Sequence, residues 1–373
     1  MNNYNIMKKI YSILSLLSIT LLVAQAGTPA SPYYDGSNWT LSGTALKNAL
    51  ETKITTTHTN YLSYTPGVWE ASRVTDLDPN NTNNVLLIYG FENGSDNINT
   101  NDRSRDKFDN GGNNGQWNRE HVYAKSLGTP SLQDGGTANN SSSDAGEDAH
   151  HLRPADVQWN NTRGNSTFAA GSGNSGNVSG GWYPGDEWKG DVARMMMYMY
   201  LRYGTQCLPI NVGTGTSPAS DSNMVNLFLQ WNAEDPVSAF EDARNTYHGN
   251  TANTYAQGNR NPFIDNPYLA TRIWGGPVAQ NRWPSIILDT ETFDKFANIT
   301  IYPNPTINHK INIQTDIVLD EINLFNIDGK LMHVIKKPSL ENQTYTLENL
   351  PQGFYLLKMT SDNQSTTKSI IVN

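Results

Sequence analysis

The segment Asn118-Arg119-Glu120-His121-Val122 sets a carboxylate directly beside an imidazole, and Asn160 follows 39 positions after His121 (160 − 121 = 39). Between them runs Asp148-Ala149-His150-His151-Leu152-Arg153-Pro154, and Arg163 stands three residues beyond Asn160. Each piece alone is weak, because adjacent Glu-His pairs arise by chance in many chains. Together they offer an anionic oxygen, an amide oxygen, a base that is neutral near pH 7 and a cation, which is equipment for moving a proton beside a metal ion.

A carboxylate and an amide carbonyl are hard ligands. Completed by water or phosphate oxygens, Glu120 and Asn160 suit Mg2+, with Mn2+ or Ca2+ as alternatives, better than Zn2+. Zinc would require more His or Cys, and the adjacent His150-His151 pair lacks the spacing of a His-Glu-x-x-His site.

These side chains need particular elements to hold them. Neighbours on a strand point to opposite faces, so Glu120 and His121 can share a task only where the segment ends or bends. Stretches rich in Gly, Asn and Ser at 110–115 and 135–146 bracket a short β-like segment over 117–124. Pro154 suits the first turn of a helix on which Asn160 and Arg163 share one face. A β-segment packed on that short helix gathers Glu120, His121, Asn160 and Arg163 around one point.

Elsewhere, Leu46, Leu50 and Ile54 predict a helix from Ser42, and a strand is expected over 85–89. Asp76, Asp78 and Asn80 read as Asx turns, since the Gly and the distal Glu of a calcium loop are missing. Trp188, Val192, Met195, Met199 and Tyr203 form a helical core stripe within 187–203. A further helix is expected to open at Asp235-Pro236 and to end at Gly249. Beyond Trp283 the pattern turns to short alternating runs at 299–302, 310–314, 321–327, 330–335, 354–359 and 369–372, with an Asp328-Gly329 hairpin signal. That pattern predicts a small antiparallel β-sandwich, and no fixed-period repeat is present.

The 373-residue length allows two domains. Lys8-Lys9, the 14-residue run from Ile10 to Val23 and Ala24-Gln25-Ala26 read as a signal peptide. The run is short of the roughly 20 residues of a membrane span. The expected layout is a signal peptide at 1–26, an α+β domain at 27–289, a linker at 290–298 and the sandwich at 299–373. A single cysteine, Cys207, excludes an intrachain disulfide. The net charge of −9 excludes a protein that coats nucleic acid by bulk electrostatics, although a cleft needs only local positive charge. Aromatic content of 10% alongside abundant Asn and Gly fits a soluble extracellular protein, and leaves a non-enzymatic adhesin or carbohydrate-binding protein as the alternative.

The strings NREHVYAKS, DAHHLRPADVQWNNTRGN, KGDVARMMMYMYLRYG and GNRNPFIDNP, in that order, resemble the bacterial endonuclease I family over roughly 65–274. The resemblance implies a ββα-metal, or His-Me finger, site in which His121 is the general base and Glu120 and Asn160 hold the cation. Asn160 rather than Asn161 fits the family's Asn-x-x-Arg. It also implies sequence-nonspecific cleavage of DNA, and often of RNA, leaving 5′-phosphates. Arg163 and Arg119 complete the catalytic set as phosphate-facing cations. Arg194 and His150 are candidate substrate contacts; for Arg194 an ion pair with Asp191 is an equal alternative, and for His150 structural support is favoured. Past residue 299, Tyr302-Pro303-Asn304-Pro305, Asp328-Gly329-Lys330, Leu350-Pro351-Gln352-Gly353-Phe354-Tyr355 and Lys368 resemble the type A sorting domain of the type IX secretion system. That resemblance implies export to the exterior or the cell surface by that machinery.

Overall fold

The structure, a computed structural model, describes residues 27–94, 96–135, 145–287, 296, 299–315, 317–339, 343–361 and 364–373. The signal-peptide reading of residues 1–26 and most of the 290–298 linker lie outside the described residues. Two compact units divide the chain, Met1–Leu288 and Asp289–Asn373.

The first unit mixes helices and strands. Helix α1 (Gly43–Thr57) buries Leu46, Leu50 and Ile54, the spacing that predicted it. Helix α2 (Trp69–Thr75) leads into an antiparallel sheet of β1 (Leu77–Asp78), β2 (Asn81–Leu86) and β3 (Ser104–Asp106). The strand expected over 85–89 stops at Leu86: Ile88 N–H turns to the Pro154 carbonyl at 2.8 Å, and Tyr89 takes a left-handed φ of 71°. Strands β4 (Trp117–His121) and β5 (Leu152–Asp156) pair antiparallel, and helix α3 (Val157–Arg163) follows β5 directly. Strands β6 (Gly176–Val178) and β7 (Gly181–Tyr183) form a hairpin.

Helix α4 (Lys189–Tyr203) is the central pillar. Every residue from Gly190 to Leu201 is buried, so the expected apolar stripe is one side of a helix covered all round. It packs on α1, on α5 (Asn226–Glu234) and, beyond α6 (Ala239–His248), on α7 (Pro262–Asp265), with α8 (Tyr268–Trp274) closing the unit.

Two expected helix starts are corrected. Helix α6 opens at Ser238 rather than Asp235, because Ser238 and Glu241 cap one another reciprocally. Asp235 instead accepts from Gly190 N–H at 2.8 Å. Pro154 lies in β5, opposite Arg119, and α3 starts after Asp156, whose carboxylate accepts from Gln158 and Trp159 N–H at 2.8 and 2.9 Å.

In the second unit, β8 (Thr300–Tyr302), β9 (Ile311–Gln314), β10 (Glu321–Asn326), β11 (Leu331–Lys336), β12 (Thr344–Leu347), β13 (Gly353–Ser361) and β14 (Gln364–Val372) form antiparallel sheets in the orders β11-β10-β13-β14 and β12-β9-β8. Alternate residues such as Ile322, Leu324, Leu357 and Met359 from the first, and Ile311, Ile313, Tyr345 and Leu347 from the second, share one core. Gly329 supplies the positive φ of the β10–β11 turn. Strand β12 has no counterpart among the runs read from the sequence. Among the described residues no helix is long and apolar enough to cross a membrane.

Candidate active site

Strand β4 distributes the candidate residues between its two faces. Toward α3 point Asn118 and Glu120, spaced two apart as a strand requires. Asn118 Oδ1 accepts from Asn160 Nδ2 at 2.8 Å, which ties the middle of α3 to the strand. Glu120 is buried, and its Oε1 accepts from Arg163 Nη1 at 2.9 Å and from the Tyr89 hydroxyl at 3.0 Å. Burial pushes the Glu120 carboxyl up to about 7, against the opposing pull of Arg163 and Tyr89.

Arg163, at 1% exposure, also donates to the carbonyls of His121 at 3.2 Å and Val122 at 3.0 Å. It thus braces the end of β4 from inside the protein.

His121 is the last residue of β4, where the strand ends as the adjacency of Glu120 and His121 demands. Its ring stacks on Tyr64 at 5.3 Å, and its Nε2 lies 2.9 Å from the Gly146 carbonyl and 3.8 Å from Asp134 Oδ2. A carbonyl can only accept, so Nε2 carries the proton and Nδ1 keeps the lone pair. Burial, with His151 next, holds the His121 pKa well below 6.5. His151 donates from Nε2 to the neighbouring Ala145 carbonyl at 2.7 Å, with its ring 5.6 Å from that of His121. Gly146 is fixed by space, since a Cβ there would stand 2.3 Å from the Gln133 carbonyl oxygen.

The remaining candidates divide. Arg119 lies beside His121's face of β4, its guanidinium 3.5 Å over the Tyr64 ring and 4.1 Å over Trp69, half-buried and hydrogen-bonded to Tyr64 and Thr65. Arg194 is inside the protein, bidentate to Glu241 at 2.6 and 2.8 Å and 3.6 Å from Asp191. His150 is buried against Tyr198 and His248, its Nε2 3.2 Å from the Asn259 carbonyl, and burial takes it down to about 4. Beside it, Asp148 accepts from the Tyr198 and Tyr203 hydroxyls at 2.8 Å each. Arg194 and His150 therefore stand away from Glu120, Asn160 and His121.

Sequence reasoning missed Asn118, Tyr89, Tyr64, Asp134 and Gly146. Only Asn118 carries a local signal, its i, i−2 spacing from Glu120. No group of three or more His, Cys, Asp or Glu side chains is placed to hold a metal among the described residues. A cation here would rest on the Glu120 carboxylate, the Asn160 amide oxygen and water or substrate oxygens, as magnesium sites with few protein ligands do.

An endonuclease I family model matches residues 42–268, and a secretion system C-terminal sorting domain model matches residues 300–373. An extracellular ribonuclease of Bacillus amyloliquefaciens is 45% identical over 243 residues, covering 62% of this chain and 75% of that protein. An extracellular ribonuclease of Bacillus subtilis (strain 168) is 43% identical over 262 residues, covering 66% of this chain and 81% of that protein.

Proposed function

The chain belongs to the endonuclease I family and carries a secretion sorting domain, and from that premise we propose that it is an exported, sequence-nonspecific endonuclease for DNA and RNA with a ββα-metal site built from β4, β5 and α3. Family membership makes it a nuclease and sets aside the adhesin alternative. Two extracellular ribonucleases among its relatives support RNA as a substrate beside DNA.

The observation that carries the mechanism is the Gly146 carbonyl on His121 Nε2. It leaves Nδ1 to take a proton from the attacking water, and burial keeps that nitrogen unprotonated at neutral pH. Glu120 and Asn160 would hold a divalent cation, Mg2+ first and Mn2+ or Ca2+ as alternatives, which when bound supplies positive charge for a phosphate oxygen and the departing 3′ oxygen. The residues fit such an ion: Glu120 is a desolvated carboxylate whose charge burial disfavours and a cation would restore. Arg163 holds Glu120 in place, and Arg119 stands on the His121 face for the substrate strand. Products with 5′-phosphates follow if the 3′ oxygen departs.

Digestion of closed circular DNA and circular RNA with and without chelator tests this reading. Linearisation in Mg2+ and none in EDTA is expected. Circles left intact in Mg2+, Mn2+ and Ca2+ alike would overturn the endonuclease assignment, and cutting in excess EDTA would overturn the cation.

A further inference from the structure

Among the described residues of the first unit, Phe108 is the one exposed aromatic, with 67% of its surface in water. Its presentation is fixed: Phe108 N–H donates to Asp106 Oδ1 at 2.8 Å, and Asp109 N–H to the Asp106 carbonyl at 3.0 Å. The Arg73 guanidinium lies 5.1 Å over the ring, and Lys107 Nζ is 5.7 Å from it. Arg73 spends its donors on Glu70, the Lys107 carbonyl and Asn110, so it offers a flat face rather than a free donor edge.

A run of aromatic and guanidinium groups leads from the ring toward the active site. Trp69 stands one helical turn before Arg73 on α2, which puts both on one face. It meets Trp117 at 4.9 Å and the Arg119 guanidinium at 4.1 Å; Arg119 in turn covers Tyr64, which stacks on His121. The Trp117 indole donates to the Asp106 carbonyl at 3.1 Å, anchoring the Phe108 turn to the start of β4. Trp117 and His121 are four strand residues apart, about 13 Å at ~3.3 Å per residue.

We propose that Phe108 is a stacking platform for an unpaired nucleobase of the substrate strand, on the side of His121 where β4 begins. The proposal rests on the nuclease reading above and adds a substrate class, single-stranded or locally opened nucleic acid. Stacking rather than phosphate binding is what the subsite offers, because Arg73 spends its donors within the protein and Lys107 Nζ donates to the Thr82 carbonyl at 3.0 Å. Bases in a duplex are stacked on one another and cannot cover the ring.

Equilibrium binding of fluorescein-labelled 12-nucleotide single strands and 12-base-pair duplexes to the full chain, followed by anisotropy in EDTA, reads the effect without turnover. Phe108→Ala and Phe108→Leu should each weaken single-strand binding by roughly 5- to 100-fold, with duplex binding changed less than twofold, and Phe108→Trp should restore it. An exposed side chain leaves the melting temperature of these variants unchanged. Coincident single-strand curves for wild type and Phe108→Ala overturn the proposal, as does an equal loss on both forms or a Phe108→Leu variant that binds like wild type. Failure of the nuclease reading looks different, as wild-type protein that binds neither form.

Discussion

At the residue scale, Glu120 and His121 are pushed in opposite directions by the same burial. Desolvation disfavours whichever form is charged, so the carboxyl rises to about 7 while the imidazole falls well below 6.5. On the proposed roles this separates two pH effects. The base should stay unprotonated as pH falls through 6.5, so kcat at saturating Mg2+ should hold through that value and decline only lower. Protons, however, compete for Glu120 below pH 7, so the Mg2+ concentration for half-maximal rate should rise by up to about tenfold per pH unit between 7 and 5. Rate profiles at several Mg2+ concentrations separate the two, and a kcat midpoint at 6.5 or above in saturating Mg2+ would refute the buried-base account. His121→Ala should lower kcat by about 10²- to 10⁴-fold and remove the acidic limb; loss of kcat below tenfold would place the base elsewhere. That a β-segment and the following short helix could gather Glu120, His121 and Asn160 was legible from strand and helix periods, while the roles proposed for them came from the family resemblance. The partners of these residues were not legible: Tyr89 lies 31 positions from Glu120 and Gly146 lies 25 from His121, brought there by tertiary packing that leaves no periodic trace.

At the scale of elements, α3 has seven residues, too few to persist alone in water. It is held by the Asp156 cap, which is also paired with Arg105 at 2.7 Å, and by the Arg163–Glu120 pair at its far end. Breaking a buried pair from one side strands the other charge, a cost of about 3–5 kcal/mol. Arg163→Met should therefore destabilise by about that much, and adding Glu120→Gln should recover a large part of the loss while both proteins stay inactive. Denaturant titrations of wild type, the two single variants and the double variant measure this, and an Arg163→Met protein within about 1 kcal/mol of wild type would show the pair to be incidental. The helices with long apolar periods, α1 and α4, were readable from sequence. The strands β6 and β7, with three residues each, are too short for a period to declare itself. Pro154 misled because a residue without N–H fits both a helix start and a strand, and Asp235 misled because two capping signals competed and the reciprocal Ser238–Glu241 pair won.

At the scale of the whole molecule, the first unit is stabilised without a disulfide, Cys207 being free and buried. Its interior is unusually polar, with Asp76 paired to Arg153 and Arg244, and a group of histidines packed around Asp148. Composition announced neither, because burial of charge depends on which partners the fold supplies. Burial lowers His58, His150, His151 and His248, the middle two to about 4. A histidine whose folded pKa lies below its unfolded value of about 6.5 binds fewer protons in the native state. Its contribution to stability is then full above pH 6.5 and is lost as pH falls from there toward 4, at up to about 1.4 kcal/mol per pH unit for each group. Glu120, Asp191 and Asp235 oppose this, since carboxyls raised by burial bind protons in the native state first and favour it as pH falls. The separable quantity is the share of one histidine. His248 is fully buried with neither ring nitrogen hydrogen-bonded among the described residues, and His150 and Arg244 face it with like charge when protonated. Replacing it by leucine keeps an uncharged group of similar volume and removes one proton-binding site from the unfolded chain. Calorimetric melting from pH 7 to 5 should accordingly show a smaller fall in Tm for His248→Leu than for wild type, and equal slopes would mean that His248 is protonated alike in the folded and unfolded protein.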